Sequence, residues 1–404
     1  VIPALLDVPG EFYLFGLTLL GVAVLHRHPL QIAAAGLAAI VLYKFCVSGF
    51  DAGPGLHGLG AHLETEAGNL TNLLLLLLGF TLLSDQFERS RLPDAMPALL
   101  PHSWLGGAAL LTLIFILSIF LDNIAAALVG GIIARHVYRD NVSIGFLAAI
   151  VTASNAGGAG SVIGDTTTTL MWINGIPALL VAHAFIASLS ALLVSALLAS
   201  WFQHRHAPMV KHAPSGLTIE WVRASIVAFI LTAAVAGNML GSLAFPALRG
   251  SVPFIGLAIW AAIAISSPLR MPDFKLLIPA FRGALFLICL VLSASLMPVA
   301  KLPLPSWHSV LNLGFLSAVF DNIPLTALTL KQGGYDWGIL AYAVGVGGSM
   351  LWFGSSAGVA LTAMYPQGRC ARSWLRHGWY IPVAYVAGFA VILGVLGWHP
   401  TLPA

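Results

Sequence analysis

Charged side chains are the class this chain has least of: 8% of its 404 residues are Asp, Glu, Lys or Arg, against roughly 25% in a typical soluble domain. With 59% hydrophobic residues and a mean hydropathy of +0.93, that shortage excludes a soluble globular protein, which could not hide so much apolar surface. Cysteine is nearly as scarce. Cys46, Cys289 and Cys370 are odd in number, far apart and without CxxC spacing, so neither a disulfide framework nor a zinc site is indicated. The net charge is only +3 and the basic residues fall in short loops, which gives no footing for nucleic acid. An HExxH motif or a buried nucleophile–base pair is missing too, so an enzyme is not expected, and neither is a resident cofactor. The apolar runs lack the period-two alternation of barrel strands. No basic leader or small-residue cleavage site accompanies Phe12 to Leu25, and this stretch is expected to span a bilayer. What remains is an all-α polytopic membrane protein.

Apolar segments long enough to cross the hydrocarbon, about 20 residues each, lie near 11–26, 29–47, 67–86, 177–202, 223–245, 252–269, 283–300 and 378–398. Regions 143–174 and 337–364 are apolar but interrupted by glycine clusters, as helices broken in the middle would be. With these the count is about ten full spans. Regions 103–136 and 306–332 look like helical hairpins whose turns carry Asp122-Asn123 and Asp321-Asn322, since Asp and Asn favour turns and caps over helix interiors. Each arm covers part of the hydrocarbon, making the hairpins re-entrant, one from each side.

Basic residues orient this layout. If the first span runs from outside to inside, the inner loops receive fourteen of the eighteen Lys and Arg, and the outer side receives Lys44, Arg249, Lys301 and Lys331. Both termini are then outside, and a prokaryotic inner membrane is the expected location. His26, His28, His204, His206 and His212 fall at the inner surface, as a basic belt rather than a metal site.

The two halves repeat. Ser118-Ile-Phe-Leu-Asp-Asn-Ile124 aligns with Ser317-Ala-Val-Phe-Asp-Asn-Ile323, and Gly157-Gly158 followed by Gly164-Asp165-Thr166 aligns with Gly347-Gly348 followed by Gly354-Ser355-Ser356. An odd number of crossings per half turns the second half upside down. Residues 1–202 form the first repeat, 203–222 a polar inner linker, and 223–404 the inverted second repeat. Inverted repeats with paired broken helices are the architecture of secondary transporters.

The two hairpin tips and the two breaks, Asn155–Thr168 and Gly347–Ser356, should converge. They supply carboxylates, amides, hydroxyls and freed carbonyls, hard oxygen donors suited to a small hard cation. Capping alone is the plainer interpretation of the Asp-Asn pairs and of Thr166–Thr169. A buried ionised carboxylate is a costly way to end a helix, however. Asp165 has no basic neighbour in sequence, so a bound cation or proton is expected to neutralise it. A further cluster, His57, His62, Glu64 and Glu66 with Asp51, precedes the third span as loop residues at the outer mouth. It suits either plain solvation or a proton antenna or pH sensor.

These motifs carry a family resemblance. Leu121-Asp122-Asn123, Asn155-Ala-Gly-Gly-Ala-Gly-Ser-Val-Ile-Gly-Asp165-Thr-Thr-Thr and Met171-Trp172-Ile173 resemble NhaD-type sodium/proton antiporters of the ion-transporter superfamily. So do Ser317-Ala-Val-Phe-Asp-Asn-Ile-Pro-Leu-Thr326, Ala341 to Ser349 and Gly354-Ser-Ser-Ala-Gly-Val359. The resemblance implies exchange of Na⁺ or Li⁺ for H⁺. By match to the family's motifs it implicates Asp122, Asn123, Asn155, Asp165, Thr167, Thr168, Asp321, Asn322 and Ser355, with Na⁺ at Asp122, Asp165 and Thr167 and pH sensing at His57 and Glu64. Two positions depart from the pattern: Ala125-Ala126-Ala127 stand where threonines are usual, and Gly160 where a tryptophan is. The expected function is secondary active exchange of Na⁺ or Li⁺ for H⁺ by alternating access. The rival is a Na⁺- or H⁺-coupled carrier of an organic or inorganic anion, which would use glycine-rich half-helix N-termini. Expected partners are small cations, protons and the lipid bilayer; a homodimer is compatible with this layout.

Overall fold

The computed structural model describes residues 9–24, 28–51, 53–95, 100–101, 103–210, 218–245, 248, 252–299 and 302–401. His26, His212, Arg249 and Lys301, singled out above, lie outside the described residues. Among the described residues the structure is helical and contains no strand. Helix α1 (Gly10–Val24) is followed by α2 (Pro29–Tyr43, prolonged by a π-helical turn, Lys44–Ser48) and α3 (Gly55–Arg89). The first Asp-Asn hairpin is α4 (Leu105–Phe120) and α5 (Asn123–Val137); the first broken helix is α6 (Ile144–Ala159) and α7 (Thr166–Ile173). Then come α8 (Ala184–His206), α9 (Trp221–Met239), α10 (Phe254–Ser266) and α11 (Leu277–Ser295). The second hairpin is α12 (Trp307–Ser317) and α13 (Asn322–Gln332), the second broken helix α14 (Trp337–Gly347) and α15 (Ser356–Met364), and α16 (Tyr380–Leu396) closes the series.

Among the described residues four helical stretches are long and apolar enough to cross a bilayer: Pro29–Ser48, Gly55–Arg89, Ala178–His206 and Phe274–Ser295. Ala371–His377 and Tyr380–Leu396, bent by 62°, add a fifth if they form one span. Further apolar helices of 10–17 residues include both arms of the first hairpin and both α6 and α14. Two boundaries differ from the sequence expectation. Helix α3 begins at Gly55, so His57, His62, Glu64 and Glu66 ride on its opening turns instead of a loop. Its 35 residues measure about 52 Å at 1.5 Å per residue, and a hydrocarbon core of about 30 Å leaves polar turns to spare. The expected 203–222 linker is narrower: Gln203–His206 still belong to α8, and α9 opens at Trp221.

The helices form two compact units, and these are not the two halves of the sequence. One unit holds residues 1–86, 221–304 and 327–332; the other holds 87–220, 305–326 and 333–404. Each half of the chain contributes to both. In the first unit α9 packs on α10, and α2 on both α1 and α11. Asn72 Oδ1 accepts the Gly256 amide (2.8 Å) and Trp260 Nε1 donates to the Leu75 carbonyl (3.0 Å), joining α10 to α3.

In the second unit, α6 from Gly145 to Ala159 and all of α14 are buried. Lipid is as apolar as leucine, so packing here rests on close approach and interhelical hydrogen bonds rather than on expulsion of water. Glycines permit that approach at equivalent places. A Cβ on Gly157 would collide with the Phe115 carbonyl of α4, and one on Gly347 with the Gly314 carbonyl of α12. Buried tyrosines complete the ties by donating to backbone carbonyls. Tyr342 reaches Tyr385 O (2.7 Å), Tyr385 reaches Leu311 O (2.9 Å), and Tyr365 reaches Gly131 O (2.8 Å).

Candidate functional site

The two breaks are built alike. After Ala159 the chain leaves the helix, and Asp165 is extended (φ −144°, ψ 139°) before capping α7: its Oδ1 accepts the Thr167 amide at 3.0 Å. Ser355 is extended in the same way (φ −142°, ψ 151°), and its Oγ accepts the Gly358 amide at 3.3 Å to open α15. Side chains stitch the first break shut. Thr168 Oγ1 lies 2.5 Å from Ser161 O and 2.9 Å from Asp165 O, and Thr169 Oγ1 lies 2.8 Å from Val162 O. Ser161 Oγ donates to Ile119 O at 2.6 Å, fastening the break to the end of the first hairpin's leading arm. Carbonyls freed by the interruption therefore find hydroxyls, as backbone at such depth requires.

Asp165, 3% exposed, is the hub. Its Oδ1 also accepts from Thr167 Oγ1 (2.5 Å), and its Oδ2 accepts from Asn123 Nδ2 and Asn322 Nδ2, both at 3.3 Å. The two amides are the first residues of α5 and α13, so each hairpin tip reaches the same carboxylate. Asn322 Nδ2 further donates to Thr167 Oγ1 (3.1 Å). Asn123 Nδ2 donates to Asn155 Oδ1 (3.1 Å), and Asn155 Nδ2 donates to Ser349 Oγ (2.9 Å) and Ser355 Oγ (3.1 Å) of the second break. One hydrogen-bonded network thus joins both hairpin tips and both breaks, all within the second unit.

The remaining candidates sit around this network or away from it. Asp122 is half-buried at the N-cap of α5 without a side-chain cap bond. Asp321 accepts the Ile323 amide (3.2 Å) and the Ser356 hydroxyl (3.0 Å). Both lie close enough to Asp165 for like charges to repel. Thr168 belongs to the seam and does not face the carboxylate. His57 and Glu64 are exposed on α3, in the first unit. Among the described residues no group of three or more His, Cys, Asp or Glu could hold a metal ion. A cation at this network would therefore draw on amide, hydroxyl and carbonyl oxygens beside Asp165.

Comparison with known proteins is consistent with this geometry. The chain is 28% identical over 392 residues to the Na⁺/H⁺ antiporter NhaD of Vibrio parahaemolyticus, a match covering 85% of this chain and 91% of that protein. It is 31% identical over 349 residues to the NhaD of Vibrio cholerae, covering 72% and 70% respectively. The chain belongs to the NhaD family. A third relative, sodium/proton antiporter 1 of Arabidopsis thaliana, is 27% identical over 341 residues, and there the chain spans about half of the relative's length, 55%. No family model matches the chain.

For an NhaD-family site, the network holds residues that sequence reasoning passed over. Ser349 bonds directly to Asn155. Aligning the halves sets Ala159 against Ser349 and Asn155 against Gly345, so each half supplies a polar group where the other has none. Gly345 makes the room: its missing Cβ would lie 3.2 Å from the Ala159 methyl. The departure at Gly160 also has a physical counterpart, because the Phe185 ring of α8 occupies the space a side chain there would need.

Proposed function

We propose that this chain exchanges Na⁺ for H⁺ across the membrane, accepting Li⁺ in place of Na⁺, by alternating access. The observation that carries the proposal is the buried Asp165 carboxylate, which meets donors from both hairpin tips and makes no ion pair with a lysine or arginine among the described residues. A carboxylate so placed needs a neutralising partner, either a proton or a cation. The two cannot be held at once, and exchange follows from their competition if only the neutralised states cross between the two sides. Asn123 and Asn322 serve both states. As donors they satisfy the oxygens of Asp165; turned about their terminal torsion, each presents a carbonyl oxygen, a hard ligand for Na⁺. Thr167 adds a hydroxyl, and Asn155, Ser355 and Ser349 hold Asn123 in place. Asp122 and Asp321 add negative potential that attracts cations.

In this proposal the two halves form an inverted repeat of about ten spans in a prokaryotic inner membrane. Both termini are outside, and the basic loops lie inside.

The test uses purified protein in vesicles carrying a pH gradient. Sodium gluconate, whose anion is impermeant, should discharge the gradient for the native chain, and lithium gluconate should do so too. Asp165→Asn should abolish the discharge while the protein still elutes as a folded species. Full activity of Asp165→Asn would remove Asp165 from the mechanism. A native chain that needs a particular anion would be a carrier instead.

A further inference from the structure

Within the second unit, the end of α8 and the start of α16 meet. Helix α8 closes on Trp201-Phe202-Gln203-His204-Arg205-His206, and the short helix Ala371–His377, with Arg372 and Arg376, leads into α16. Phe202 stacks on Tyr380, their ring centroids 6.2 Å apart and their planes 14° from parallel. Arg205 lies about one turn beyond Phe202, and Arg376 about one turn before Tyr380. Tyr380 Oη donates to Gly145 O at 2.6 Å, tying the junction to the start of α6. The Arg205 guanidinium sits over the Trp201 ring, 4.5 Å from its centroid, and Trp104 meets the same indole edge-on at 5.9 Å. That cation–π contact orients the guanidinium without using its N–H donors.

The charge here is unbalanced. Arg205, Arg372 and Arg376 are exposed, and their side chains make no hydrogen bond or ion pair with a described residue. From Thr166 to Ile219 and from Trp337 to Ala404 the sequence holds no Asp or Glu. Asp140, at the turn before α6, is already paired with Arg135. The other end of α8 differs. There His183 packs on Gly338 and the His399 amide donates to Asp336, and residues 174–183, 333–338 and 397–401 hold no Lys or Arg. An apolar stripe runs up to the cations. Leu189, Leu193, Leu197 and Trp201 are exposed at four-residue spacing, which puts them on one face of α8, and the next step of four is Arg205.

We propose that this junction binds an anionic phospholipid. Arg205, Arg372 and Arg376 hold its phosphate, and an acyl chain lies along the stripe from Leu189 to Trp201. A guanidinium fork matches phosphate oxygens bidentately, and exposed tryptophans belong at headgroup depth. A zwitterionic headgroup carries an ammonium of its own, which three uncompensated arginines repel. Free phosphate would make no use of the apolar stripe. The site is independent of the exchange reaction proposed above and requires only a bilayer around these helices.

The experiment titrates the full chain, purified in detergent, with phosphatidylglycerol or phosphatidylcholine and counts bound lipid by native mass spectrometry. Native protein should bind phosphatidylglycerol at least about fivefold more tightly than phosphatidylcholine. Arg205→Gln and Arg376→Gln should each weaken phosphatidylglycerol binding about fivefold. Arg205→Lys, which keeps the charge and loses the planar fork, should weaken it about twofold to threefold. Arg282→Gln removes the same charge from an exposed position on α11 in the first unit and should leave binding unchanged. Melting temperatures should match the native value throughout, because the substituted side chains are exposed. Equal binding of the two lipids by the native chain would overturn the proposal, as would an equal loss in Arg282→Gln. Displacement of phosphatidylglycerol by an equal concentration of inorganic phosphate would overturn it in favour of a small-anion site. So would loss of a dimer in Arg205→Gln with lipid binding intact, which would make this face a contact between copies.

Discussion

Asp165 accepts four hydrogen bonds, two from Thr167 and one each from Asn123 and Asn322, and the neighbouring threonines separate by role. Thr167 points its hydroxyl at the carboxylate, whereas Thr168 points its own at backbone carbonyls. Replacing Thr167 by valine removes a hydroxyl from the site while keeping its shape. The half-saturating Na⁺ concentration should rise about tenfold, the equivalent of about 1.4 kcal/mol, near the lower bound for a hydrogen bond to a charged group. Serine at the same position should behave like threonine. A flux assay across Na⁺ concentrations decides it, and an unaltered half-saturation in Thr167→Val would exclude the hydroxyl from binding.

At the scale of elements, the first break holds because the Ser161, Val162 and Asp165 carbonyls each accept a threonine hydroxyl, and Thr168 is the central stitch. Thr168→Val should therefore cost about 1–3 kcal/mol of stability by stranding buried carbonyls, read as a lower melting temperature in detergent. The half-saturating Na⁺ concentration of the variant that remains folded should not move. A change in Na⁺ half-saturation without a change in melting temperature would return Thr168 to the site. Glycine and Asp-Asn made the breaks and hairpin turns legible in the sequence, because each announces a backbone that leaves the helix. Their limits were less legible. Asn155 remains helical, the interruption coming only after Ala159, because its amide finds partners on Asn123, Ser349 and Ser355 and need not compete with its own backbone. The start of α3 was hidden for a different reason. Polar residues from His57 to Glu66 look like loop in a hydropathy scan, yet a helix has no need to stop where the hydrocarbon does.

On the scale of the whole molecule, the proposed competition between Na⁺ and H⁺ for one carboxylate fixes the sign of the expected pH dependence. Protons occupy the site at low pH and raise the Na⁺ needed for half-saturation. That concentration should fall as pH rises, by at most about tenfold per unit for each competing proton, and level off once the carboxylate is deprotonated. Flux titrations at fixed ionic strength would show it. A profile that stays flat on both the acid and the alkaline side of neutrality would reject competition at a shared carboxylate. The molecule is also organised in a way that sequence order does not announce, since both compact units draw on both halves of the chain.

The amino-acid sequence by itself determined the membrane class, the two Asp-Asn turns, the two interrupted helices and the one acid standing where its counterpart is serine. Those follow from composition and from rules that act over a few residues. Which side chains meet Asp165 was decided only by the tertiary structure. Consecutive helical residues differ by about 100° around the axis, so Thr167 and Thr168 face different neighbours although nothing in their sequence tells them apart. Asn123 and Asn322 come from opposite halves of the chain, and only folding brings both amides to one carboxylate.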